Sequence, residues 1–329
     1  MVESVLPNIY RIEVPLPDNP LKAINSYVIK GQKRNLIIDT GMNRAECRTA
    51  LTAGLAQINI DLENTDFFIT HYHIDHSGLV SSFIKPGAKV YASEDDGIVI
   101  NRASGGDTRE YWMELQEYAA KHGFPPKLAE QAILNHPGNA YKPEHPLNFT
   151  YILDGDFIKA ADYNFQCIIT PGHTGGHVCL YEKERKIFIS GDHVLENITP
   201  NISQYSEDEH ALDNYLQSLD KVAGLSVDFV LPAHHGTFRN FAARVRQLKE
   251  HHLSRIEEVW QIVREYKSVS AYEIASRMTW DMRGNWEDYM VQQKWFAFGE
   301  AVSHIEFLHG VGRLTPIQGH NGLINWTIK

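Results

Sequence analysis

Only three cysteines occur in 329 residues, at positions 47, 167 and 179. A sparse, odd and widely spaced set cannot build a disulfide framework. Cys167 and Cys179 lie in the strand-like runs FQCIIT and HVCLYE and read as small buried apolar residues. Long apolar runs are missing as well; none approaches the roughly 18 to 20 residues of a membrane span. The opening MVESVLPNIYRIEVPLP has no basic segment followed by an apolar one, so no secretory leader is expected and the expected location is cytoplasmic. Positive charge is in deficit: 31 Lys and Arg against 41 Asp and Glu give a net charge of −10. That balance disfavours nucleic acid or an anionic membrane as the main partner. There is no G-x-S-x-G elbow and no cysteine set beside a histidine, so serine and cysteine nucleophile mechanisms lack their parts. Internal repeats and low-complexity linkers are absent too.

What is present begins with apolar content of 43%, enough for a buried core, in a chain long enough for two domains. Up to about residue 240, short runs rich in β-branched and aromatic residues alternate with polar loops. INSYVIKG, NLIIDT, DFFIT, AKVYA, NFTYIL, DFIKAA, FQCIIT, HVCLYE, KIFISG and DFVLPA are each of strand length. Helices are expected at about 43–57, 77–85 and 107–136, and another from Ser206, where Glu209 completes a capping-box spacing. This texture predicts an α/β fold with two sheets. Beyond 240 it changes to a long amphipathic helix, a second helix capped by Ser270, a third around Trp295, and a β-hairpin around Gly319 to Gly322. Three helices and a hairpin outline a small winged-helix-like domain. The expected division is 1–240 and 241–329, with a helical excursion over 93–147.

The densest chemistry is THYHIDHSG, residues 70–78, with three histidines and an aspartate within six positions. It follows the apolar run DFFIT and so sits at a strand's C-terminal end, where α/β folds commonly build sites. His71 and His73, two apart, can share a face and one ion. Asp75 and His76 lead into a helix and can face another. Three further strand ends carry the same residue types: PGHTGGH (His173, His177), GDHV (Asp192, His193) and PAHHG (His234, His235). One such junction is ordinary; four together point to metal.

The ordered set H-x-H-x-D-H, P-G-H-T, S-G-D and P-x-H resembles the metallo-β-lactamase superfamily over about residues 5–240. The resemblance implies a four-layer αβ/βα sandwich with a glyoxalase II-like binuclear metal site. It places His71, His73 and His173 on one ion and Asp75, His76 and His234 on the other, with Asp192 bridging and His235 as the alternative last ligand. LIIDTG matches the family's early aspartate motif and makes Asp39 a partner that orients a ligand histidine. His177 is expected to brace the site.

The expected cofactors are two divalent ions, zinc first, with iron or manganese also compatible. The expected reaction is hydrolysis by metal-bound hydroxide, with Asp75 and Asp192 as the catalytic carboxylates. A small acyl substrate (thioester, ester or lactone) fits best. Tyr111 and Trp112, in YWMELQEYAAKHGFPP, are candidate contacts if the 93–147 excursion forms an acyl-lining flap; a packed helix would need the same residues. The alternatives are a single-stranded RNA endonuclease of the same superfamily, or a metal-binding sensor or interaction protein. The tail counts against the nuclease, because its basic residues are scattered and nearly balanced by acidic ones. Its apolar-aromatic run at Trp295, Phe296 and Phe298 must bury against its own core or a second subunit, so a homodimer is conceivable.

Overall fold

The computed structural model describes residues 1–105, 108–319 and 322–329. Asp107, which begins the expected helix 107–136, lies outside the described residues, as do His320 and Asn321 in the expected hairpin turn. The chain divides into two compact units. One comprises Met1–Gly106, Pro137–Pro200 and Ser218–Val245; the other comprises Asp107–His136, Asn201–Gln217 and Arg246–Lys329.

The first unit holds two sheets. Strands β1 (Val2–Leu6), β2 (Ile9–Pro15), β3 (Ala23–Ile29), β4 (Asn35–Ile38), β5 (Thr65–Phe68), β6 (Val90–Ala92) and β7 (Phe149–Tyr151) lie in chain order. Pairing is antiparallel up to β4 and parallel from there to β7. Strands β8 (Phe157–Ala160), β9 (Tyr163–Ile169), β10 (Val178–Glu182), β11 (Ile187–Gly191) and β12 (Phe229–Pro232) form the second sheet, in the order β12-β11-β10-β9-β8. Here β11 and β12 run parallel.

The period-two alternation of side chains explains the layers. Ile24, Val28, Ile37 and Phe67 face helix Ala45–Gln57 and pack with Cys47, Leu51 and Leu55. Tyr27, Ile29, Leu36, Ile38 and Phe68 face the other way. They meet Phe165, Cys167, Leu180, Ile187, Ile189 and Leu231 of the second sheet. Phe188, between two inward-facing residues of β11, turns outward to Phe241, at the start of helix Phe241–Tyr266, with ring centres 5.0 Å apart. Helix, sheet, sheet and helix therefore follow the αβ/βα order that the family resemblance implies.

In the second unit, helices Arg109–Lys121, Pro126–Leu134, Ala271–Arg277 and Val291–Gly310 accompany a three-stranded antiparallel sheet. Its strands are β13 (Val269–Ser270), β14 (Leu314–Gln318) and β15 (Ile324–Ile328), with β15 central. Phe124 is buried between the rings of Tyr272, Trp295 and Phe298, which explains the aromatic run of the tail. Ser270 caps its helix as expected: its hydroxyl accepts from the Glu273 N–H, and Glu273 reaches back to the Ser270 N–H at 2.9 Å.

The helix expected from Ser206 starts instead at Ala211. Glu209 accepts from the backbone N–H groups of Tyr205 and Ser206, so it closes a turn ahead of the helix, and His210 at φ 47° breaks the path between. Gln204 supplies the acceptor for the Ala211 N–H. No described helix is long and apolar enough to cross a membrane.

Candidate metal centre

Each donor leaves the end of a strand in the first unit. Thr70, His71 and His73 follow β5; Asp75 and His76 occupy the single helical turn Ile74–Ser77. His173 lies in the loop between β9 and β10, Asp192 follows β11, and His234 follows β12. Because β11 and β12 are parallel neighbours, Asp192 and His234 emerge side by side. A hydrogen bond from the Val178 N–H to the Thr70 carbonyl, 2.9 Å, joins the two sheets at the same edge.

These residues converge into three overlapping sets, within each of which the donor atoms lie within 4.8 Å of one another. The sets are His71–His73–His173, His71–His76–Asp192 and Asp75–His76–His234. His71 Nε2 and His73 Nδ1 are 3.0 Å apart. Asp192 divides its oxygens: Oδ2 lies 3.5 Å from His173 Nε2 and 3.6 Å from His76 Nε2, while Oδ1 lies 3.5 Å from His234 Nε2. Asp75 Oδ2 is 3.4 Å from His234 Nε2. His71, His76 and His234 are fully buried, whereas His73, Asp75 and His173 are partly exposed and mark the open side.

The donor atoms are what a cation needs. His76 Nε2, Asp192 Oδ1 and His234 Nε2 are buried and make no hydrogen bond among the described residues. Leaving such atoms without a partner costs free energy that a bound cation recovers. The opposite ring nitrogens are tied down. His76 Nδ1 donates to Asp39 Oδ2 at 2.7 Å, and His234 Nδ1 donates to the Ala23 carbonyl at 2.8 Å. Both imidazoles therefore direct Nε2 inward, so that the neutral ring presents there the nitrogen that binds metal. Asp39 also accepts from the Thr70 N–H and hydroxyl, so it braces the whole start of the cluster.

His177 stands behind these atoms. Its Nδ1 donates to Thr170 Oγ1 at 2.8 Å, and its Nε2 accepts the Asp192 backbone N–H at 3.1 Å. It thus holds the main chain of Asp192. Gly191 makes that contact possible: at φ +49°, a Cβ there would sit 2.6 Å from His177 Nε2. His193 is buried and belongs to none of the three sets, and His235 is exposed. Tyr111 and Trp112 lie on helix Arg109–Lys121 of the second unit, where the Trp112 ring faces His136 at 5.1 Å.

Sequence reasoning missed Asp96. It lies in SEDDG, an acidic run that reads as an ordinary helix start, and nothing there signals burial. It is nevertheless 2% exposed. Burial pushes its carboxyl up to about 6, against hydrogen bonds from Thr174, Tyr72 and Gly176 that lower it.

Electrostatics divides the histidines. Burial, reinforced by neighbouring imidazoles, holds His71 well below the usual histidine range and takes His73 down to about 3. Burial opposes charge on His234 too, but Asp192 and Asp75 outweigh it and push the group up to about 10. Asp39, Asp192 and Asp75 likewise hold His76 well above the usual value. Burial would raise Asp75, yet His76 and His234 take it down to about 2. At pH 7 a proton therefore occupies His234 and must leave before its Nε2 binds a cation. Cation uptake should release protons, and apparent affinity should weaken steadily as pH falls below about 10. Titration calorimetry in two buffers of different ionisation enthalpy checks this; heats independent of buffer contradict it.

A two-sheet sandwich with clustered histidine and aspartate donors at one edge defines a metal-dependent hydrolase of the metallo-β-lactamase type. Residues 20–234 match the model of the metallo-beta-lactamase superfamily, and the chain belongs to that superfamily. It is similar to the acyl-coenzyme A thioesterase MBLAC2 of Homo sapiens, 28% identical over 70% of this chain and 79% of that one. It is also similar to the atrochrysone carboxyl ACP thioesterase of Aspergillus fumigatus, 23% identical over 75% of this chain and 62% of that one. Among solved structures, a metallo-beta-lactamase family protein from Thermus thermophilus superposes with a TM-score of 0.82 at 26% identity, covering 99% of this chain and all of that one. A beta-lactamase domain protein from Burkholderia ambifaria gives 0.87 at 25% identity, covering 100% and 94%.

Proposed function

We propose that this chain hydrolyses acyl thioesters with two divalent cations held at the strand-end cluster. The observation that carries this reading is that Asp192 lies within 3.6 Å of donors from both sets, His173 of one and His76 and His234 of the other. His71, His73 and His173 would hold one cation, and Asp75, His76 and His234 the other, with Asp192 shared and Asp39 and His177 bracing the cluster. The names of the human and Aspergillus fumigatus relatives support a thioester as the substrate class.

Such a cation pair supplies a water whose pKa falls from about 15.7 towards about 7 and polarises the substrate carbonyl. The chain's own contribution is geometric and electrostatic. Asp192, fixed through its main chain by His177, sets the separation of the two donor sets. Asp75, ionised and partly exposed at the open side, is placed to relay the proton that water loses. Returning it to the departing sulfur completes the balance: thioester and water give carboxylic acid and thiol.

The test is a panel on cation-replete protein: acyl-coenzyme A thioesters followed by thiol release, lactones, p-nitrophenyl esters, a cephalosporin and single-stranded RNA. Thioesters should exceed every other substrate in kcat/KM by at least about tenfold, which is about 1.4 kcal/mol of differential transition-state binding. Cleavage of RNA without turnover of any acyl substrate overturns the reading. Zinc, iron and manganese are each loaded in turn to identify the cation that supports turnover.

A further inference from the structure

The two halves of the cluster are braced differently. On one side Asp39 joins Thr70 to His76 through bonds of 2.7 to 2.9 Å. The other half rests on the loop that carries His173. That loop is held by Asp96. Its Oδ2 accepts from the Tyr72 N–H at 2.9 Å and from Thr174 Oγ1 at 2.7 Å, and its Oδ1 accepts from the Gly176 N–H at 2.9 Å. Tyr72 lies between His71 and His73, and Thr174 follows His173. One buried carboxylate thus ties together the two loops that carry the three donors of the first set, without contributing a donor atom to it.

The fit around Asp96 is close. Its own N–H donates to Ser93 Oγ at 3.3 Å. Gly176 leaves the space: a Cβ there would meet Ser93 Oγ at 2.2 Å and Asp96 Oδ1 at 2.7 Å. All three bonds to the side chain come from donors, so both oxygens must accept. An asparagine cannot do this. In either amide orientation its NH2 group faces a backbone N–H, from Gly176 or from Tyr72, and at least one of the three bonds is lost.

We propose that Asp96 is the positioning residue of the His71–His73–His173 cation site, serving that half as Asp39 serves the other. The inference rests on the paired-cation reading given under Proposed function. It predicts a selective effect. Altering a partner that orients metal ligands typically weakens metal binding by about 10 to 100-fold. Asp96→Asn should impose a loss of that size on the first site and leave the Asp75–His76–His234 site within about threefold of the unaltered chain.

Metal-free protein is titrated with zinc and with cobalt against a chromophoric chelator, and the thermal midpoint of each metal-free variant is recorded. The unaltered chain should take up two ions. In Asp96→Asn, the cobalt spectrum that disappears should be the one lost in His173→Ala, not the one lost in His234→Ala. Thr174→Val should show a smaller loss at the same site, and Thr174→Ser, which keeps the hydroxyl, should restore it. Equal weakening of both sites marks general loosening and overturns the proposal, as does unchanged affinity. If the unaltered chain takes up fewer than two ions, the paired-cation reading itself fails, and the selectivity argued here fails with it.

Discussion

Asp192→Asn should abolish measurable hydrolysis and release cations from both halves of the cluster. The substitution is nearly isosteric, so the backbone hydrogen bond to His177 survives. What changes is charge and one acceptor. Asp192 lies within 3.6 Å of His76, His173 and His234 together. An amide leaves one of these imidazoles facing an NH2 group and removes half of the negative charge that Asp75 and Asp192 present to the cluster. Burial opposes ionisation of Asp192, but His234 and His76 hold its carboxyl well below the usual range. The loss in kcat/KM should exceed the roughly 10 to 100-fold that altering an outer partner costs. Elemental analysis beside the rate assay checks both parts. Full metal content with intact turnover means that Asp192 is not shared.

Removing the cations should have an effect of similar size on rate and a second one on stability. A chelator-treated sample should lose turnover and regain it when the supporting ion is returned. A ligand that binds only the folded chain at 100 times its Kd stabilises it by about 2.7 kcal/mol per site. Thermal melts of the replete protein should therefore lie clearly above those of the treated one. Identical melts would mean that the buried nitrogens of His76 and His234 find their partner elsewhere. The proton on His234 tempers the gain: since the cation must displace it, the difference between the two melts should narrow as pH falls.

The donor residues were legible in the sequence because each follows an apolar run that must be a strand. A strand end has only one place to go in an α/β layer, so four such junctions imply a common edge. The strand and helix texture showed α/β layers with two sheets, while the four-layer order came from the family resemblance. The structure supplies its reason, since alternate residues of β3, β4 and β5 are apolar on both faces, which requires a partner on each. Asp96 was not legible, since its partners are 24, 78 and 80 residues away and its own neighbours are acidic and solvent-like. The same limit applies to the helices of residues 109–134. Their periodicity shows an apolar face but not what covers it; Phe124 turns out to pack against Tyr272, Trp295 and Phe298. At Ser206 the local signal was real but was used one turn early, because Glu209 caps a turn that His210 then interrupts.

The three donor sets have one more property. His71 and His73 need His173 to complete their set, and Asp75 and His76 need His234. No set is complete within a single stretch of chain. During synthesis, a ribosome that has released the first hundred residues has made four of the seven donors and no finished site. The second half must wait until residue 234 has emerged and β12 has joined β11. If the cluster holds two cations as proposed, both sites can be completed only late in synthesis.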